Sequence, residues 1–329
     1  MISERSNLAR GFPLAIASAA ILSTTAIFIR YLTLNYTLAP LALAVWRDLF
    51  VVAALAPALA LVAPRRLRVG RGDIAFLAGW GLVLAAFNAF WTLSVAANGA
   101  AVATVLVYSS AAFTVLLGWR LLGERLDWAR LLAVGSAFAG CALVSDAADP
   151  AVWRTQPGGI LLGLLSGLGY AAHSLMGRSS SRRGLDPWTA LLYIFGFATL
   201  FLLVLNLTPG AAAAGGAARP VELLALGDAW AGWGVLVLLA VGPTVAGFGL
   251  YNVSLTHLPS GIVNLIATLE PPFTAVIAYA LLGERLTLPQ AAGGALVVAG
   301  VAGLRVWEGW LAGRDRPVAP DPCDTARCD

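Results

Sequence analysis

Lysine is missing from this 329-residue sequence, and all 21 basic residues are arginine. Charge of either sign is scarce. Asp, Glu and Arg make up 12% of the chain, too little to coat a water-soluble globule of this length. No basic stripe with interleaved aromatics occurs, which argues against a nucleic-acid partner. Cysteine is limited to Cys141, in an apolar stretch, and Cys323 and Cys328, in a polar tail; neither a disulfide framework nor a metal centre can be drawn. The two histidines are His173 and His257, and there is no G-x-S-x-G, no HExxH and no pair of intramembrane aspartates. With no nucleophile-base constellation, the chain is not expected to be an enzyme.

What the chain does have is 59% hydrophobic residues, 35 Gly and 11 Trp, with a mean hydropathy of +0.82. It reads as an all-α integral membrane protein. A helix crossing roughly 30 Å of hydrocarbon needs about 20 apolar residues, because each backbone amide must be paired within the helix. Ten such stretches can be drawn, at about 11–31, 38–62, 74–96, 100–122, 127–146, 158–177, 187–206, 230–256, 260–282 and 287–310. The first contains Ala17-Ser18-Ala19, but cleavage there would leave too short a hydrophobic core for a signal peptide, so it reads as a retained span. The link 207–229, rich in Ala, Gly and Pro, reads as a surface loop. The polar segment 311–329 reads as a disordered cytoplasmic tail whose last nine residues, DPCDTARCD, look appended.

Arginine placement gives the orientation, since basic residues are retained in the cytoplasm. With the N-terminus inside, sixteen of the 21 arginines are cytoplasmic, Arg30, Arg154, Arg219 and Arg285 are external, and Arg47 lies within the second span. Both termini are therefore expected inside.

The hexapeptide LLGERL occurs at 121–126 and again at 281–286. At the same offset of 160, Phe113-Thr114 matches Phe273-Thr274 and Ala139-Gly140 matches Ala299-Gly300; earlier in each half an offset of 148 aligns Gly11 with Gly159, Ser18 with Ser166 and Arg30 with Arg178. Two five-helix halves follow, 1–148 and 155–310. Five is odd, so the second half enters from the opposite side, and the repeats are inverted. This is the plan of many secondary transporters, with a central site between the halves.

On Arg47, Asn88, Glu270-Pro271 and the two Leu-Gly-Glu-Arg-Leu turns, the chain resembles EamA-type members of the drug/metabolite transporter superfamily, the ten-helix group that includes aromatic amino-acid exporters. The resemblance covers nearly all of 11–310. It implies a secondary transporter of small organic solutes, most often exporting and independent of ATP, in a bacterial inner membrane. Ser110-Ala111-Ala112 stands where the second half has Glu270-Pro271-Pro272, so the fourth span has no proline to bend it.

Polar and aromatic residues recur at helical spacing and suit the wall of an internal cavity: Trp46 and Arg47 in the second span; Asn88, Trp91 and Thr92 in the third; Thr104 and Tyr108 in the fourth; Ser166, Tyr170, His173 and Ser174 in the sixth; Tyr251 and Asn252 in the eighth; Asn264 and Thr268 in the ninth. Such a wall would hold a small amphipathic solute such as an amino acid. Each residue also has a packing reading, because interhelical hydrogen bonds are ordinary in bundles. Arg47 can pair with a substrate carboxylate or with Glu270, while Asp48 points about 100° away around the helix. Glu270 and His173 are candidates for coupling or gating. Metabolites of other classes, and a channel or scaffold, are the competing functions. The partners expected are a small-molecule substrate and the lipid bilayer, with no cofactor and no metal.

The small residues Ser136 and Gly140, and Ala295, Ala299 and Gly303, recur every fourth position and suggest close helix packing. Glu124, Arg125, Glu284 and Arg285 read as structural turn residues after helix-ending glycines. Asp127 and Thr287 are expected to cap the helices that follow, the latter in a capping box with Gln290.

Overall fold

A computed structural model describes residues 2–36, 38–122, 127–145, 157–208, 226–257 and 266–314, together with 212, 215–217, 219, 222, 223 and 263. Among the described residues every regular element is helical. The α-helices are α1 Ile2–Leu22, α2 Thr24–Asn35, α3 Pro40–Val62, α4 Arg71–Asn98, α5 Ala100–Val107, α6 Ser110–Leu122 and α7 Trp128–Val144. They continue with α8 Pro157–Arg182, α9 Pro187–Leu207, α10 Trp230–Leu239, α11 Phe248–His257, α12 Glu270–Leu282 and α13 Leu288–Arg314. A π-helical turn, Ala240–Gly247, joins α10 to α11.

Among the described residues, seven helical stretches are long and apolar enough to cross a membrane, and three further apolar helices are shorter: Trp128–Val144, Glu270–Leu282 and Leu288–Leu304. Large side chains such as Leu61, Leu132, Leu200, Val204 and Val276 stand exposed on their outer faces. So much exposed apolar surface is stable only against lipid. Trp128 and Trp230, each 80% exposed at the first residue of a helix, fit the interfacial belt.

Several spans are broken, and each break has a local cause. At Ser23 three consecutive hydroxyls turn back on their own helix, Ser23 to the Ala20 carbonyl (2.7 Å), Thr24 to Ile21 (2.6 Å) and Thr25 to Leu22 (2.7 Å), which bends it. In the eighth span Pro243 lacks an N–H, the ladder widens into the π turn, and Ser18 donates to the Gly247 carbonyl at 2.8 Å. The fourth span bends without a proline. The Tyr108 and Ser109 amides reach back only three residues, to Val105 and Leu106 (both 3.1 Å), separating α5 from α6. Gly167 of α8 sits against this turn so closely that a Cβ there would lie 2.2 Å from Ser109 Oγ. A corresponding turn at Thr268–Leu269, with Leu269 bonded to the Ile266 carbonyl (3.0 Å), precedes Glu270-Pro271-Pro272.

Around these breaks α4 packs on α8 and α9, α1 on α11, α3 on α9 and on the π turn, α5 on α12, and α7 on α13. The α7–α13 contact runs through small residues, although not all of those expected. Ala295, Ala299 and Gly303 are exposed, whereas Gly293, Val297 and Gly300 face Gly140 and Ser136. The sequence shows two rows of small residues on α13, and only contact with α7 distinguishes them.

Because a Cβ on Gly293 would lie 2.6 Å from the Gly140 carbonyl oxygen and 2.8 Å from the Val144 amide, Gly293→Ala is expected to destabilise the protein by about 1–3 kcal/mol. Gly303→Ala, with nothing within 4 Å, should leave the melting temperature in detergent unchanged.

Candidate functional site: two helix breaks that meet

The turn at Tyr108–Ser109 and the turn at Thr268–Leu269 face one another. Tyr108 Oη lies 2.8 Å from the Ala267 carbonyl and 3.1 Å from Glu270 Oε2, so the phenol of one break serves both the open backbone and the carboxylate of the other. The two turns are 160 residues apart, the same offset as the hexapeptides. Tyr170 of α8 and Tyr251 of α11 are close enough to act electrostatically on the Tyr108 hydroxyl. Tyr251 packs with Ile266 around Ala15 and Val263. Thr268 is buried beside them, while Glu270, Tyr108 and Tyr251 are half-buried and Tyr170 is 39% exposed. Asn264 lies outside the described residues, and for Asn252 only the helical backbone is described.

From Tyr170 an aromatic wall runs along α4 and α8. Tyr170 stacks on His173 (ring centroids 6.3 Å apart) and meets Phe87 at a tilt (5.4 Å), and Trp80 contacts His173 (5.3 Å) and Phe76 (5.9 Å). Trp80 Nε1–H donates to His173 Nδ1 at 2.9 Å. An indole nitrogen can only donate, so Nδ1 is an acceptor and the neutral imidazole carries its proton on Nε2. Taking up a second proton on Nδ1 would break the Trp80 bond.

Arg47 is not held open for Glu270. It is 4% exposed, and its Nε meets Asp48 Oδ1 at 3.1 Å, while the other carboxylate oxygen accepts from Asn88 Nδ2 at 2.7 Å. The side chains of Arg47 and Asp48, expected to diverge around the helix, converge because the arginine stem is long enough to fold across one step and both charges are buried. Arg47 Nη2 is left buried without a hydrogen bond among the described residues.

Other expected wall residues have polar groups already engaged or lie in the core. The hydroxyls of Thr92, Thr104, Ser166 and Ser174 are bonded to carbonyls of their own helices. Trp91 is buried in the core, and Trp46 donates to the Leu223 carbonyl (2.6 Å) and packs edge-on to Trp233 (4.8 Å). A polar residue's position on a helical wheel does not reveal that its own backbone already binds it.

The second LLGERL makes a contact that sequence reasoning did not locate. Gly283 ends α12 at φ +68°, and Glu284 crosses to the start of α5, where its two carboxylate oxygens accept from the Ala100 (3.0 Å) and Ala101 (3.1 Å) amides. Bare amides and the positive end of the helix dipole both favour a carboxylate there. Arg30 Nε stands 3.5 Å from Glu284, and Gly99, at φ +84°, leaves room that a Cβ would fill 2.8 Å from the carboxylate. Arg285 is exposed, and Thr287 and Gln290 form the reciprocal capping box. Asp127 caps α7 by accepting from the Arg130 amide (2.9 Å). Glu124 and Arg125 lie outside the described residues.

Broken apolar helices that meet around one acidic and several aromatic side chains define a multi-pass membrane protein of transporter type. The chain belongs to the EamA-like transporter family, whose pattern it matches twice, over residues 9–146 and 157–306. It is similar to an uncharacterized transporter of Archaeoglobus fulgidus, 27% identical over 71% of this chain and 77% of that protein. It is also similar to a protein of Streptantibioticus cattleyicolor named "Probable terminal-alkyne amino-acid exporter", 29% identical over 61% of this chain and 63% of the relative. An uncharacterized transporter of Synechocystis is 26% identical over 68% and 64%. The chain thus spans just under two thirds of the length of the latter two. A solved crystal structure aligns with 92% of this chain and 99% of its own, with a TM-score of 0.59 at 18% identity, a likeness of fold.

Two substitutions probe these contacts. Asp48→Asn leaves the buried Arg47 charge uncompensated, which should cost about 3–5 kcal/mol, whereas the double change Arg47→Met, Asp48→Leu removes both charges and should restore most of the loss, as read by thermal melting. Glu284→Ala should lower stability by about 1 kcal/mol and raise hydrogen exchange at the Ala100 and Ala101 amides.

Proposed function

We propose that the protein is a secondary transporter that exports small organic metabolites, foremost amino acids with aromatic or other bulky neutral side chains, across a bacterial inner membrane by alternating access. The observation that carries this reading is the meeting of two equivalent helix breaks at Tyr108 and Glu270. Breaks at membrane depth persist only where they line a cavity or are buried in protein, and in transporters they mark the substrate site.

The same reading takes the chain as ten spans in two inverted halves, N-in and C-in. In its support, the helix pairs come in equivalents under exchange of the halves: α4 on α8 answers α1 on α11, and α4 on α9 answers α3 on the π turn. The double family match falls on the same two segments. In this topology the Glu284 contact lies on the outer face, so the described conformation is latched externally. The name of the Streptantibioticus relative is the support for amino acids as cargo.

Reconstituted vesicles test the reading. Counterflow uptake of labelled Phe, Trp, Thr and Met should saturate for at least the aromatic pair, and Tyr108→Phe should cut the rate about tenfold by removing the hydroxyl that joins the breaks. Uptake no greater than in protein-free vesicles for all four would remove amino acids as cargo.

A further inference from the structure

Charge bookkeeping at the centre of the molecule selects which end of a substrate is recognised. Arg47 and Asp48 neutralise one another. His173, accepting from Trp80, is a neutral imidazole. Glu270 has no such counterpart: among the described residues no arginine or histidine forms an ion pair with it, and its described hydrogen bond is the one from Tyr108 to Oε2. Oε1 accepts nothing from the described residues, and the side chain is only half-buried. An ionised carboxylate inside a helical membrane bundle needs a cation, and the described residues supply none there.

The groups beside it are those that hold organic cations. Tyr108 donates to the carboxylate, Tyr170 and Tyr251 lie near the Tyr108 hydroxyl, and Phe87, His173 and Trp80 continue the wall from Tyr170. Ring faces attract an ammonium through their quadrupole while accommodating an apolar body. A carboxylate at this place would instead confront Glu270. Arg47 Nη2 is the alternative anchor for an anion, but an anion placed there would also stand beside Asp48, in a cluster already neutral.

We propose that Glu270 and the tyrosines around it bind the ammonium group of the substrate, so that the carboxylate of an amino acid is dispensable and primary aromatic amines are ligands of the same site. The proposal rests on the reading of the helix breaks as the substrate site. It separates three probes of one size: 2-phenylethylamine, which has the amine alone, phenylalanine, which has both groups, and 3-phenylpropionate, which has the carboxylate alone.

Isothermal titration of each probe into the full-length protein in lipid nanodiscs tests it. Phenylethylamine should bind no more than tenfold more weakly than phenylalanine, and phenylpropionate should show no saturable binding. Glu270→Gln should weaken the amine at least tenfold at unchanged melting temperature. If that variant does not fold, Tyr170→Leu, which removes one ring face, should still weaken it severalfold. Binding of phenylpropionate without the amine, or binding of none of the three, overturns the proposal. In the first case saturable phenylalanine counterflow would persist, and the transport reading would stand with its anchor moved to Arg47. Loss of counterflow while phenylethylamine still binds would instead sink the amino-acid cargo and leave the ammonium site in place.

Discussion

Hydrocarbon offers no hydrogen bonds, and every other feature of this molecule answers to that constraint. A continuous helix satisfies it automatically, so most of the described chain is apolar helix, with some large side chains turned outward and others packed in the core. Where a helix is interrupted, the freed groups must find partners, and each interruption described here has them: Ser18 for the π turn, Tyr108 for the turn before Glu270, Glu284 for the start of α5. These partners come from distant parts of the sequence, so satisfying the backbone is also what ties the spans together.

Charge follows the same rule with one departure. Asp48 is fully satisfied by Arg47 and Asn88, and Glu284 by two amides and Arg30. Glu270 has a phenol and no cation among the described residues. A bundle that neutralises its other deep carboxylate so completely, yet leaves this one half-buried between two broken helices, keeps it at an energetic cost that a bound cation would relieve.

How far the sequence could be read depended on the range of the signal. Apolar runs, helix-ending glycines and caps are local, and they marked apolar helices, the helix end at Gly283 and the Thr287–Gln290 box. The repeat offset of 160 aligned Ser110-Ala111-Ala112 with Glu270-Pro271-Pro272, next to the two turns that meet. Partnerships were less legible. Helical-wheel reasoning sent Asp48 away from Arg47 because it treats side chains as directions, whereas an arginine is a flexible arm longer than one step of the helix. It placed Thr92 and Thr104 on a cavity wall because their hydroxyls look available, although the carbonyl four residues earlier is always the nearest acceptor. The Glu284 contact spans 184 residues and has no pattern in either segment beyond Gly99, whose positive φ only a structure reveals.

Helix α5 links the two ends of this design. It has eight residues, Ala100–Val107, about 12 Å at 1.5 Å per residue. Glu284 holds its first amides at one end, and Tyr108 follows its last residue at the other. Seven of its eight side chains are buried, so it has little freedom to bend and must move as a rod. A ligand that displaced Tyr108 from Glu270 would therefore act on the far end of the same rod, where the Glu284 carboxylate holds two amides. Coupling between two such ends needs a physical path with two discrete arrangements, and a short buried helix anchored by hydrogen bonds at both ends is what such a path requires.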